Sequence, residues 1–239
     1  MLTPWTSRRK GEALLDAMIY DFDGVVVDSE PVHLMCFREA LSPLGVELTV
    51  EDYYSKYLGF DDHDCFAAAL QDHGVAFSEE LIAELTAQKT VLVKQAFARS
   101  IQPLPGAVEL IRCAFNAGIP LGMCSGALRE EIHIAARTLG ILESFAAIVT
   151  AEDVRRSKPD PEGYVLALRK LSEATGRPLV GDRTVVVEDT AAGVESAKAA
   201  GMRVLAVTNS CPAGTLARAD RIVDSLTEIG LEELRAMSD

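Results

Sequence analysis

Positive charge is in short supply in this chain. Lysine and arginine number 23 against 36 aspartates and glutamates, a formal net charge of −13 over 239 residues. That balance argues against a nucleic-acid or anionic-membrane partner, whose usual footprint is a basic face. It also sets a condition: if the ligand is anionic, positive charge must come from a metal ion and a few placed lysines. Cysteine is sparse too. The five (Cys36, Cys65, Cys113, Cys124, Cys211) form no Cys-x-x-Cys pair and no framework. An odd, scattered set fits reduced thiols in a cytoplasm rather than disulfides or zinc. No apolar run approaches the roughly 20 residues that span a bilayer. Residues Met1 to Glu12 carry Trp5 and the run Arg8-Arg9-Lys10, with no apolar stretch behind them that would make a signal peptide. They are expected to form a frayed surface tail. Internal repeats and low-complexity segments are missing as well. The expectation is a cytoplasmic protein, a monomer or weak dimer.

What is present is a globular composition, 49% hydrophobic and 25% charged, in a chain long enough for one large α/β domain or a core with an insert. Apolar, β-branched runs at Ala17–Tyr20, Pro120–Cys124, Ala147–Thr150, Thr184–Val187, Arg203–Val207 and Arg221–Val223 read as strands. Helix-period segments at Ala107–Ala117, Leu128–Leu139, Pro161–Leu171 and Ala191–Ala200 separate them. Such alternation predicts a doubly wound parallel sheet, a Rossmann-like core. Gly118, Gly140 and Gly201 stand just past three of the helices, where a left-handed cap favours glycine.

One stretch breaks the alternation. From about Glu30 to Ser100 there are only helix-period segments, His33–Leu44, Cys65–His73 and Glu79–Arg99. Ile101 to Gly106, with two prolines, then reads as an extended hinge. The expected organisation is therefore a core of residues 1–29 and 102–239 and an inserted helical cap, 30–101. Entering directly after the first strand, the cap can act as a lid over that strand's end.

The strand end itself is the most informative segment. Ala17-Met-Ile-Tyr-Asp21-Phe-Asp23-Gly24 runs from an apolar strand into two carboxylates and a glycine. In a parallel sheet, ligands bind at the carboxyl ends of strands. Alternation points Asp21 and Asp23 to one side, where like charges raise each other's pKa; a divalent cation would remove that cost. Without one, the pair is an acidic turn and nothing more. A second acid pair, Glu188-Asp189, ends the strand Thr184–Val187 and offers the hard oxygen ligands that suit Mg²⁺. Ser125-Gly126 ends another strand, where a hydroxyl and backbone N–H groups can hold phosphate oxygens, or where the serine merely caps a helix. Lys158, between Ser157 and Pro159-Asp160-Pro161, is a compact cation on a proline-stiffened approach, or a solvated surface lysine.

In this order and company the four segments resemble the motifs of the haloacid dehalogenase superfamily, from about Met18 to Val223. The inserted cap resembles that of the beta-phosphoglucomutase and phosphoglycolate phosphatase-like subgroup. The resemblance implies Asp21 as nucleophile, forming an aspartyl-phosphate, and Asp23 as the acid and base that serves the leaving oxygen and then water. It implies Gly24, Ser125, Gly126 and Lys158 around the phosphoryl group, and Asp21, the Asp23 carbonyl, Glu188 and Asp189 around Mg²⁺. In the cap it implies a hinge histidine at His33, a substrate-facing lysine at Lys89 and a loop glycine at Gly59. The chain departs from the pattern at Asp62, which stands where a mutase usually has an arginine to hold a second phosphate. The acids of that loop would repel such a phosphate; they either bind hydroxyls or an amine, or simply face water. His33 equally fits a satisfied, buried position.

Asp23 favours phosphoryl transfer over carbon–halogen cleavage, because a halide leaves without a proton. The expected activity is Mg²⁺-dependent hydrolysis of a small phosphorylated metabolite, a sugar or polyol phosphate monoester. A sugar phosphomutase is the alternative, and a binding protein that kept the fold without turnover is the reading from another class.

Overall fold

The computed structural model describes residues 15–58 and 60–238, so both the expected N-terminal tail and Gly59 lie outside the described residues. The chain folds into two compact units, one formed by residues up to Asp28 with Gln102 onward, the other by Ser29–Ile101. The second unit thus starts one residue earlier than the sequence reading placed it.

The first unit is a six-stranded parallel sheet: β1 (Ala17–Tyr20), β2 (Leu121–Cys124), β3 (Ala147–Val149), β4 (Thr184–Glu188), β5 (Arg203–Val207) and β6 (Arg221–Val223). Their order across the sheet is β3-β2-β1-β4-β5-β6, so the chain reverses its winding between β1 and β4. In open α/β sheets that switch point is where a crevice opens. The register sets Met18 beside both Leu121 and Val185, and the N–H of Asp21 donates to the Val187 carbonyl at 3.0 Å. All four residues of β1 are buried, which is why the run reads as continuously apolar rather than alternating. Ile19 and Val186 face a core shared with Tyr164, Ala167 and Leu171.

The second unit is helical. It contains α1 (Glu30–Leu41), a single turn α2 (Val50–Asp52) running into a π-helical turn at Tyr53–Tyr57, then α3 (Asp62–Asp72) and α4 (Glu79–Arg99). Its own core joins Leu34, Phe37, Leu41, Phe66, Leu70 and Ile82, with the Phe37 and Phe66 rings 4.9 Å apart edge to face. The sequence reading starts the middle helix at Cys65, but it begins at Asp62, because the Asp61 carboxylate caps it by accepting the Asp64 N–H at 2.8 Å. The acids read as a loop are therefore a helix cap and first turn, where the helix dipole favours negative charge. The helical segment 50–57 escaped the sequence reading: Tyr53 and Tyr57 are buried, and their hydroxyls donate to Glu30 (2.6 Å) and Asp72 (2.7 Å).

The remaining helices belong to the sheet unit: α5 (Ala107–Asn116), α6 (Arg129–Thr138), α7 (Glu162–Thr175), α8 (Ala191–Ala199) and α9 (Leu231–Ala236). Gly118, Gly140 and Gly201 take φ of 73°, 66° and 75°, the left-handed ends their positions call for. Among the described residues no helix is long and apolar enough to cross a membrane.

Candidate active site

The carboxyl ends of β1 and β4 are neighbours, and this brings the two acid pairs of the sequence together. Directly after β1 the chain makes a tight turn, with Val26 N–H donating to the Phe22 carbonyl (2.8 Å) and Gly24 N–H to Val27 (2.9 Å). Gly24 has a φ of 72°, and a Cβ placed on it would lie 1.9 Å from Asp189 Oδ2. Only glycine suits that position, for its conformation and for the approach of the acid.

Lys158 is the cation of the site. Its ammonium lies 2.9 Å from Asp21 Oδ1 and donates to Glu188 Oε1 at 2.6 Å. Two backbone N–H groups at 155 and 156 donate to the Glu162 carboxylate at 3.2 and 3.1 Å, and Ser196 Oγ donates to the Asp160 carbonyl at 2.7 Å. Those bonds pin the loop that carries the lysine, so Lys158 is a placed group. Ser125, 5% exposed, accepts the Ala127 N–H at 3.0 Å and donates to Asp23 Oδ2 at 3.5 Å. It is thus a local cap and a neighbour of Asp23 at once. Ser125, Gly126 and Lys158 line one cleft, together with Thr150 and Arg156. At Gly126 a Cβ would meet nothing within 4 Å, so sterics there do not require glycine.

The two acids of the second pair behave differently. Glu188, with no exposure, accepts five hydrogen bonds: Lys158 and Tyr164 Oη (2.7 Å) on Oε1, and the Asp189 N–H, Thr190 N–H and Thr190 hydroxyl on Oε2. Burial raises its pKa, but Lys158, Tyr164 and Thr190 outweigh burial and hold Glu188 below the usual carboxylate value. Asp189, 1% exposed, accepts no well-formed hydrogen bond on either oxygen among the described residues. Burial pushes its pKa up to about 7, opposed by the nearby Ser210 hydroxyl and reinforced by Glu188. Asp21 is raised as well, by burial first; Lys158 opposes that, while Glu188, Asp189 and Asp23 add to it. For Lys158, burial disfavours the charge, but Asp21 and Glu188 more than compensate and raise its pKa.

Ligand oxygens of Asp21, Glu188 and Asp189 converge within 4.8 Å of one another. A buried, hard-oxygen cluster with orphaned carboxylate atoms and too few positive neighbours is the donor set that a divalent cation fits.

Three residues absent from the sequence reading touch this site. Tyr164 reaches Glu188 from α7. Asn209 Nδ2 donates to the Gly24 carbonyl at 2.8 Å, and Ser210 Oγ lies 2.7 Å from where a Gly24 Cβ would sit. A tyrosine in an amphipathic helix and a polar loop after β5 carry no local signal, since their partners are far away in sequence.

In the helical unit, Lys89 is 3% exposed and forms an ion pair with Asp62. Its ammonium is 3.1 Å from His33 Nδ1 and 4.2 Å from the Phe37 ring centre. An ammonium can only donate, so Nδ1 accepts and the His33 proton sits on Nε2. Burial, then Lys89, pushes the His33 pKa down to about 3. The structure therefore brings His33, Asp62 and Lys89 together within one unit. Of the neighbouring acids, Asp61 caps α3 and Asp64 pairs with His63 at 3.1 Å, all three exposed to solvent.

The family model for haloacid dehalogenase-like hydrolases matches residues 18–207, spanning both acid pairs, Ser125 and Lys158. The chain belongs to that family. Among characterised relatives of this hydrolase, the validoxylamine A 7'-phosphate phosphatase of Streptomyces hygroscopicus subsp. limoneus is 28% identical over 88% of the chain and 94% of its own length. A phosphorylated carbohydrates phosphatase of Thermotoga maritima is 27% identical over 82% of the chain and 87% of its own. The crystal structure of CbbY from Rhodobacter sphaeroides in complex with phosphate superposes with a TM-score of 0.78 at 28% identity, covering 90% of this chain and 96% of that one.

Proposed function

We propose that this hydrolase cleaves small organic phosphate monoesters, sugar or polyol phosphates, through an aspartyl-phosphate on Asp21. The observation that carries the proposal is Lys158 held between Asp21 and Glu188, beside an Asp189 whose oxygens accept no well-formed hydrogen bond among the described residues. The ammonium opposes the burial that raises the Asp21 pKa, favouring the anionic form, and can bind a phosphoryl oxygen. Ser125, 3.5 Å from Asp23, and the turn at Gly24 complete a cradle of donors for the same group. Asp21 attacks phosphorus, and Asp23 gives its proton to the departing alkoxide, which is why a second aspartate is needed. Asp23 then takes a proton from the water that hydrolyses the acyl-phosphate, returning Asp21 to its starting state.

Asp21, Asp189 and the Asp23 carbonyl would hold Mg²⁺. Glu188, whose lone pairs are already occupied by protein donors, contributes charge and anchors Lys158. When bound, the cation neutralises the acid cluster and polarises the phosphoryl oxygens.

The named phosphatase activities of the relatives support a carbohydrate-like substrate. A sugar phosphomutase fits less well. CbbY has been crystallised with xylulose-1,5-bisphosphate, but here the cap lysine expected to meet substrate is already neutralised by Asp62. Acidic side chains also heavily outnumber basic ones across 29–101. We place the protein in the cytoplasm, a reading its five free cysteines support, and propose a monomer or weak dimer.

The test is phosphate release from a panel of phosphorylated metabolites, with Mg²⁺ and with chelator. Metal-dependent release concentrated on one or two sugar or polyol phosphates is the expected result. Transfer of phosphate between positions of one sugar, seen only with a bisphosphate primer, would move the protein to the mutases. Inactivity in both assays would leave a binding protein.

A further inference from the structure

Tyr164 is completely buried in α7, yet its two polar contacts are to the two members of one ion pair. Its hydroxyl donates to Glu188 Oε1 at 2.7 Å, and its ring centre lies 5.1 Å from the Lys158 ammonium. We propose that Tyr164 is a positioning residue for phosphoryl transfer, sharing Glu188 Oε1 with Lys158 so that the ammonium stays within reach of Asp21. The proposal rests on the reading of the site given above.

The physical argument concerns how Lys158 is shared. Glu188 Oε2 is fixed by the Asp189 and Thr190 N–H groups and the Thr190 hydroxyl, while Oε1 has two donors, Lys158 and Tyr164. With the phenol in place, part of the Oε1 charge is already stabilised, and the ammonium divides between Glu188 and Asp21. Without the phenol, Lys158 becomes the only donor to a buried, charged oxygen and is drawn towards it, away from Asp21 and the phosphoryl group. The aromatic face beneath the ammonium limits its other excursions. Phenylalanine would fill the same volume, so packing alone gives no reason for the hydroxyl.

Tyr164→Phe isolates the hydroxyl, and Leu171→Val, a fully buried position in the same helix, serves as the packing control. Hydrolysis of p-nitrophenyl phosphate in Mg²⁺, binding of inorganic phosphate by titration calorimetry, and Tm are measured for both variants and the wild type. Tyr164→Phe is expected to lose about tenfold or more in kcat/KM, mostly in kcat, and to bind phosphate more weakly, as removal of a charge-assisted hydrogen bond predicts. Leu171→Val is expected to lower Tm at least as far with kinetics and phosphate affinity unchanged. If Tyr164→Phe matches the wild type in kinetics and phosphate affinity, or if both variants lose activity in step with Tm, the positioning role is overturned. A wild type that neither hydrolyses the ester nor binds phosphate would instead overturn the reading of the site, and this proposal with it.

Discussion

Each unit of the molecule sets a lysine beside acids, Lys89 buried and Lys158 partly exposed, and the two arrangements are not alike. In the helical unit Lys89 meets one carboxylate, Asp62, and a neutral imidazole, His33, so the charge closes on itself. In the sheet unit Lys158 meets Asp21 and Glu188, and Asp189 is left over, with neither oxygen accepting a well-formed hydrogen bond among the described residues. A balanced cluster holds its surroundings together; an unbalanced one has an unmet demand for positive charge. That surplus of acid, rather than the presence of charge, distinguishes a site poised to bind a cation and a phosphoryl group from a structural pair.

The largest expected effect comes from breaking the unbalanced site at its nucleophile. Asp21→Asn should lower phosphate release by roughly three orders of magnitude or more while the protein still melts cooperatively, because the reaction and not the fold needs that charge. Substantial residual turnover would remove Asp21 from its role.

The balanced pair should respond in the fold. Asp62→Ala leaves Lys89 buried without its counter-charge and should cost about 2–3 kcal/mol in denaturant melts, less than for a fully buried pair because Asp62 is 33% exposed. Replacing both partners, Lys89→Met with Asp62→Leu, should recover most of that loss. If the single and double variants are equally unstable, the pair is not the source of the effect.

Asp189→Asn carries the opposite sign. In chelator it should stabilise the protein by on the order of 1 kcal/mol at pH 8, since it removes an unsatisfied charge, while abolishing any stabilisation by added Mg²⁺. Burial raises the Asp189 pKa from the ordinary 3.8 to about 7 in the folded state. Between those limits the folded form holds more protons than the unfolded form, so its contribution is full at low pH and is lost as pH rises through about 7.

His33 sharpens the contrast at the smallest scale. Its folded pKa of about 3 lies below the ordinary 6.5, so in that window the unfolded chain binds the extra proton. Stability from this group therefore falls on acidification, with a slope of at most about 1.4 kcal/mol per pH unit. Equilibrium unfolding from pH 7 to 4 should show that slope, and His33→Asn should flatten it. An unchanged slope in the variant would place the titration elsewhere.

The sheet was legible because β1, β2, β4 and β5 are buried on both faces and so appear as unbroken apolar runs between helix-period segments. The four motif segments were legible for a related reason: three abut a strand end, parallel strands deliver their carboxyl ends to one edge, and the fourth, at Lys158, stands on the proline-stiffened approach to α7. The helix start at Asp62 was not, since an aspartate serves a loop and a cap equally well until the Asp64 N–H is seen to donate to Asp61. The π-helical turn at 53–57 was invisible because a run of tyrosines and lysine has no period; its order comes from Glu30 and Asp72.

The sequence by itself determined that this is a parallel α/β protein with a helical insert, that carboxylates gather at its strand ends, and that positive charge near them is scarce. Those properties follow from local periodicity and composition, which the chain carries whether folded or not. Only the tertiary structure decided how the charges divide: Lys158 to Asp21 and Glu188, Lys89 to Asp62, none to Asp189, with Tyr164 and Asn209 as supports. Which acid keeps a cation and which is left wanting one depends on distances of a few ångströms between residues far apart in the chain, as Lys158 and Asp21 are, and no local pattern encodes them.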